Sequence, residues 1–333
     1  MKLDVTTARE EATAREEVLE ELRLGHKFLL TTHENPDGDA LGSLLAFDEM
    51  MRSLGKDTIM FMSASNFPLP HEYQHLPLER VQNEPPADME ERTAVFLDCG
   101  NIDRMPVDFL QRDGQHILNI DHHHDNTQFG TVNLVVGDAS CTAEILWELA
   151  SALDIELTRS MAEALYIALI TDTGRFMYEN TGARAHLMAA ELIDAGVDVA
   201  GVYRQLYQDL PFPRLQLLAR ALGRVQRLDD GRLTVAHLSR ADFGETGAIE
   251  SDSEGVVDHL RAVEHTKVAV LIRELLDRDG RKVSLRATDG SVDVSVIARS
   301  LGGGGHRQAA GASTELPLDE MIEQIRAAVA AQL

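Results

Sequence analysis

The sequence predicts an α/β protein of two parts, and three observations carry that reading. Over the first half of the chain, short apolar runs alternate with amphipathic stretches, the pattern of a parallel sheet with crossover helices. Helical spacing then dominates to about residue 222, after which strand pairs around Asp-Gly turns take over. A length of 333 residues allows each part its own core.

The elements follow in order. Residues 8–23 space alanines and leucines as a helix does, and KFLLTTH (27–33) reads as a buried strand. A Gly/Asp turn leads from it into a helix over 39–54. DTIMFM (57–62), TAVFLD (93–98) and HILNID, which ends at Asp121, are further short apolar runs, each entered from a polar or turn-rich segment. The Pro-containing stretch 66–86 reads as a loop excursion. Helices are expected over 140–152, 158–170 and 182–195, and through 198–222. RVQRLDDGRLTVAHL forms two strands around an Asp-Gly turn, and 267–275 and 281–288 form a second pair around DRDG. VDVSVIARSL is helical, GGGGHRQAAG a glycine loop, and a closing helix begins near Leu318. The expected division is 1–195, a helical linker over 196–222, and 223–333.

Composition excludes several classes. With 44% hydrophobic and 26% charged residues, the chain matches ordinary globular proteins. No apolar run approaches the roughly 20 residues that span a bilayer, and the polar, helical N-terminal stretch lacks the apolar core of a secretory signal. Cys99 and Cys141 are the only cysteines, too few for a disulfide scaffold or a cysteine zinc site, and a reducing cytoplasm is expected. A formal charge of −24 argues against long duplex nucleic acid as a partner. A short anionic substrate stays compatible where bound cations and a few arginines make the site locally positive.

Five motifs carry chemistry. In TTHENPDGDALGS (31–43), His33, Asp37 and Asp39 fall where an apolar run ends and a helix begins, the edge of an open α/β sheet where ligands bind. Gly38 is expected to let the backbone turn between the two aspartates. One imidazole and two carboxylates suit Mn²⁺ or Mg²⁺ better than a structural zinc, although Asp39 alone would read as a helix cap. Asp98 in FLDCG ends a buried strand, where a carboxylate is costly unless paired or metal-bound. NIDHHHDN (119–126) follows another such strand, and Asp121 can orient an imidazole. In ALYIALITDTGRF, Asp172 ends an apolar helical face, at the negative pole of the dipole, where a cation would relieve it. Taken singly, Asp98 also reads as a turn residue and Gly174 as a simple helix cap. GGGGHRQAAG (302–311) joins glycines that expose amides to His306 and Arg307, a match to phosphate.

The ordered set HENPDGDALGS, DCG, DHHHDN, TDTG and GGGGHRQAAG resembles the DHH superfamily of phosphoesterases, in particular the group with a DHHA1 domain that includes nanoRNases and 3′-phosphoadenosine-5′-phosphate (pAp) phosphatases. The resemblance implies a doubly wound, mainly parallel N-terminal domain, a helical linker and a smaller α/β DHHA1 domain. It implies two divalent cations, Mn²⁺ before Mg²⁺ or Co²⁺: His33, Asp37 and Asp98 on one, and Asp39, Asp98, His122 and Asp172 on the other, with Asp98 bridging. His123 would face the phosphate and protonate the leaving oxygen, and Asn126 would lie at the site's edge. Ser43 and Arg104 are phosphate or structural contacts on this reading, and Arg286, Gly303, Gly304, His306 and Arg307 form the substrate-binding set. The implied substrates are short oligoribonucleotides, the dinucleotide pApA and pAp; a homodimer is the family's habit. Cyclic dinucleotide hydrolysis in signalling turnover is the alternative activity, and a nucleotide-binding regulator with a silent site is the non-enzymatic one.

Overall fold

The computed structural model describes residues 5–333 except 106, 112, 113, 209 and 306, and of residues 5–8 only the backbone. The chain divides into two units, residues 1–208 and 209–333.

In the first unit, α1 (Val5–Leu24) precedes β1 (Lys27–Thr31), α2 (Gly38–Ser53), β2 (Asp57–Phe61), β3 (Val81–Gln82), β4 (Thr93–Leu97), β5 (Ile117–Asp121) and β6 (Val132–Val135). The helices α3 (Thr142–Ala152), α4 (Arg159–Asp172), α5 (Ala183–Asp194) and α6 (Val199–Tyr207) complete it. All six strands are parallel, in the order β3-β2-β1-β4-β5-β6, with Leu30 beside Val95 and Val95 beside Leu118. This is the doubly wound order, whose switch point lies between β1 and β4.

The strands are apolar throughout because both faces are covered. Phe28, Leu30, Val95, Leu97, Leu118 and Ile120 turn to the face packed by α1 to α4. The alternate residues Leu29, Phe61, Ala94, Phe96 and Ile117 turn the other way. That second face is closed by Met89, Met105, Phe109 and Leu110, from segments that include short 3₁₀ turns at Met89–Glu91 and Asp108–Leu110. α2 and α4 cross in close contact on the helical side.

The second unit holds α7 (Phe212–Leu222), β7 (Gln226–Leu228), β8 (Leu233–Leu238), α8 (Arg240–Thr246), α9 (Val256–Arg261), β9 (Val268–Glu274), β10 (Arg281–Ala287), α10 (Val294–Ser300), β11 (Gly304–Gly305), β12 (Ala309–Thr314) and α11 (Leu318–Ala330). Its mixed sheet runs β11-β12-β10-β9-β8-β7, with only β8 and β9 parallel. One face packs against α10 and α11, and the other against α7, α8 and α9.

Segment 196–222, expected as a linker, resolves into two packed helices. Val202 and Leu206 of α6 join the first core, and Leu217 and Ala221 of α7 join a core of the second unit. GGGGHRQAAG corrects the expectation of a plain glycine loop. Gly304 pairs with Gly311 and Gly305 with Ala310, which makes it an antiparallel hairpin.

Candidate active site

The carboxyl ends of β1, β4 and β5 point to one pocket at the switch point. His33 follows β1, Asp98 follows β4, and Asp121, His122 and His123 end β5. α2 brings Asp37 and Asp39 at its N-terminus, and α4 brings Asp172 at its last turn. Gly38 corrects the expectation of a tight turn. It is the first helical residue, and a Cβ there would fall 2.3 Å from Thr171 Oγ1, so glycine lets the start of α2 approach the end of α4.

The two neighbouring aspartates divide their work. Asp37 Oδ1 caps α2, accepting from the backbone N–H of Asp39 and Ala40, each at 3.1 Å. Asp39 instead caps a different helix, α3. Its carboxylate accepts from Thr142 N at 2.7 Å, Ala143 N at 3.1 Å and the Ser43 hydroxyl at 3.1 Å. Ser43 is fully buried and supports Asp39 from beneath, the structural one of its two expected roles.

Three groups of potential ligand atoms form, each with its atoms within 4.8 Å of one another: His33–Asp37–Asp98, Asp39–His122–Asp172 and Asp98–His122–His123. Asp98 belongs to two of them. Its backbone is left-handed at φ 55°, a conformation uncommon for a residue with a side chain, and Thr142 Oγ1 donates to its Oδ1 at 3.1 Å. His33 Nε2 lies 3.5 Å from Asp98 Oδ2, and His122 Nε2 lies 3.7 Å from Asp98 Oδ1 and from Asp172 Oδ2. The Nδ1 atoms of these imidazoles face the carbonyls of Glu34 at 2.8 Å and Ala139 at 3.4 Å, which leaves Nε2 turned inward for a cation.

The charges are out of balance without a cation. Burial resists ionisation of Asp39, and the nearby Asp98 and Asp172 add to it, so its carboxyl is held well above the usual range. Burial also lifts Asp172 to about 7. Burial opposes Asp98 too, but its hydrogen bond with His33 and the three imidazole charges outweigh this and hold it well below the ordinary value. In return His33, His122 and His123 retain protons more firmly than a free imidazole, against the effect of burial. Five aspartates around three imidazoles therefore suit divalent cations, and their oxygen and nitrogen donors fit hard or borderline ions.

Residues that the motif reading passed over hold the candidate ligands. Asn180 Nδ2 donates to Asp172 Oδ2 at 3.2 Å and to Ser140 O at 2.8 Å. Asn119, buried within β5, accepts from Asn126, and Asn126 Nδ2 also donates to Asp121 Oδ2 at 2.6 Å. Asn119 is the polar exception inside an apolar strand, a signal that was available; Thr142 and Asn180 gave none. In the second unit Arg286 pairs in register with Ala309, beside the 304–310 hairpin, and its Nη1 donates to Leu285 O. Gly303 N donates to Ala298 O at 2.8 Å, so this amide closes α10 and is not free for a phosphate. Arg307 is exposed, and its Nη2 donates to Gly290 O. His306 lies outside the described residues.

Two family models match the chain: the DHH family N-terminal domain over residues 27–169 and the DHHA1 domain over residues 230–333. A Thermus thermophilus protein described as bifunctional oligoribonuclease and PAP phosphatase NrnA is 34% identical over 309 residues, spanning 91% of this chain and 89% of its own. The chain belongs to the DHH family. A Bacillus subtilis protein of the same description is 27% identical over 300 residues, spanning 89% of the DHH chain and 92% of its own. The exopolyphosphatase-related protein from Bacteroides fragilis has a similar fold, with a TM-score of 0.86 over 96% of both chains at 22% identity. As a DHH phosphoesterase the chain is an enzyme. The first match takes in His33 to His123 and stops three residues short of Asp172, the ligand candidate contributed by the end of α4.

Proposed function

We propose that this DHH enzyme hydrolyses short oligoribonucleotides such as pApA to 5′-mononucleotides, and pAp to AMP and phosphate. The observation that carries the reading is the convergence of three ligand groups on Asp98 and His122 at the sheet's switch point. The Thermus and Bacillus relatives, alike over nine-tenths of the chain, bear names that match this activity. Both reactions break the same bond, between phosphorus and a 3′-oxygen, so one centre serves both. No helix among the described residues is long and apolar enough to cross a membrane, and the two buried, free cysteines support a reducing, cytoplasmic location.

In this reading His33, Asp37 and Asp98 hold one cation, and Asp39, Asp98, His122 and Asp172 hold the other, with Mn²⁺ favoured by the donor set. When bound, the two cations supply the positive charge that activates an attacking water and stabilises the phosphate in the transition state. Thr142, Ser43 and Asn180 keep the carboxylates Asp98, Asp39 and Asp172 in place. His123, which donates Nδ1–H to Asp121, gives a proton to the departing 3′-oxygen as the new bond to phosphorus forms. Asn126 acts through Asp121, and Arg286, Gly304, His306 and Arg307 of the DHHA1 domain grip the remaining nucleotide.

The test is binding and turnover on one preparation. Calorimetry should find two Mn²⁺ per chain, and pAp should release inorganic phosphate. Asp98→Ala should bind less than one Mn²⁺ tightly and release none. Two tight ions in Asp98→Ala would remove Asp98 as the bridge.

A further inference from the structure

Arg104 closes a short 3₁₀ turn, Ile102–Arg104, five residues beyond β4. Its backbone is tied on two sides. Arg104 N donates to Asn101 O at 3.0 Å, and Arg104 O accepts from Glu34 N at 2.7 Å, the residue next to His33. The turn is pinned further by Gln111 Nε2, which donates to Met105 O at 3.1 Å. A long, charged side chain thus starts from a fixed point between two of the segments that carry the ligand groups.

Its guanidinium is incompletely paired. Nη1 is buried and has no hydrogen-bond partner among the described residues. The backbone bond to Glu34 sets the residue on the His33 flank of the pocket, and its positive charge opposes protonation of His33 and His123 there. The carboxylates there are already engaged: Asp121 with His123 and Asn126, and Asp98 with His33 and Thr142. A buried donor on a permanent cation is costly to leave unpaired, and a planar fork fits phosphate oxygens. Beside a phosphate-cleaving centre, a substrate phosphate oxygen is a partner of the right charge and geometry.

We propose that Arg104 is a catalytic residue that donates to a non-bridging oxygen of the scissile phosphate, on the His33–His123 side of the site. This rests on the proposed function, since it takes the scissile group to be a nucleotide phosphate. It adds a fixed protein cation where the transferring phosphoryl group gathers charge, at a position that no ligand group occupies.

The experiment compares full-length wild type, Arg104→Ala and Arg104→Lys with saturating Mn²⁺ on pAp, pApA and bis(p-nitrophenyl) phosphate. Arg104→Ala should lose about 10²-fold in kcat/KM, and bind the product AMP about tenfold more weakly. Its Mn²⁺ affinity and Tm should stay those of the wild type. Added guanidinium ion should restore part of the lost activity, and Arg104→Lys should fall between the two. Activity of Arg104→Ala within about threefold of wild type would overturn the proposal, being far below the loss expected of a transition-state donor. So would a loss that tracks Mn²⁺ affinity or Tm and is not rescued by guanidinium, because that would make Arg104 scaffolding. If the wild type hydrolyses bis(p-nitrophenyl) phosphate but neither nucleotide, the proposed function fails by itself, and Arg104 is judged on the phosphodiester that remains.

Discussion

His123 Nδ1 lies 2.7 Å from Asp121 Oδ1, and Asp121 is wholly buried at the end of β5. The carboxylate is fixed in turn by Asn126, so the orientation of His123 is set from the sheet outward. Asp121→Asn keeps the shape and removes the charge that holds the imidazolium. We expect kcat on pApA to fall about 10- to 100-fold, with the number of bound Mn²⁺ ions unchanged by calorimetry. An unaltered kcat would take Asp121 out of the mechanism.

Among the described residues, Thr142 is the one whose hydroxyl donates to the shared ligand candidate Asp98. Thr142→Val removes it and leaves a buried carboxylate oxygen short of a donor. Affinity for Mn²⁺ should drop about tenfold, while the backbone contacts from Thr142 and Ala143 to Asp39 persist. A titration followed by Mn²⁺ electron paramagnetic resonance measures this directly.

Gly42 marks a second close approach of α2 to α4, this one against backbone. A Cβ there would fall 2.4 Å from Ala164 O and 2.9 Å from Ala168 Cβ, and backbone on that side has nowhere to go. Gly42→Ala should destabilise the first unit by about 1–3 kcal/mol, read in urea denaturation. It should also lower Mn²⁺ affinity, because α2 and α4 carry Asp37, Asp39 and Asp172.

In the second unit Asp242 is 1% exposed. Burial would raise its carboxyl, but Arg224, whose Nη2 donates at 2.8 Å, and Ser239 outweigh this and hold it at about 2. A carboxyl depressed on folding stabilises above its unfolded value, near 4, and that contribution is lost as pH falls towards 2. The depression corresponds to about 2 kcal/mol. Asp242→Asn should therefore lower stability by about that amount at pH 7 and converge with wild type at pH 2, followed by circular dichroism of acid unfolding.

The strands at the centre of the first sheet were legible because both their faces are buried. KFLLT, TAVFL and, apart from Asn119, HILNID read as apolar runs for that reason. At the edges the signal fades: β3 is two residues long, and β6 exposes part of every residue but Leu134. α8 and α9, seven and six residues, are too short to show a helical period, and α8 is held by a capping box and by Arg224, just beyond α7. β11 consists of two glycines and pairs through backbone alone, so side-chain patterning had nothing to report.

The candidate ligands were legible for a related reason. Apart from the exposed Asp37, each is a polar residue at or just beyond an apolar run, where burial makes it expensive. Their support was not, because it is long-range: Asp39 caps a helix that begins 103 residues later, and Asn180 reaches Asp172 across a loop. The surroundings of Gly38, Gly303 and Ser43 were hidden for the same cause. Local spacing shows a glycine or a serine but not the helix packed against it.

The most direct measurement is product analysis of 5′-pApA with wild-type enzyme, enzyme stripped of metal, and Asp98→Ala. This account expects AMP as the sole product of the wild type with added Mn²⁺, no turnover after stripping until Mn²⁺ returns, and none by Asp98→Ala. Turnover that survives both stripping and Asp98→Ala would contradict a cation centre built on Asp98. Intact pApA alongside a hydrolysed cyclic dinucleotide would keep the centre and refute the substrate.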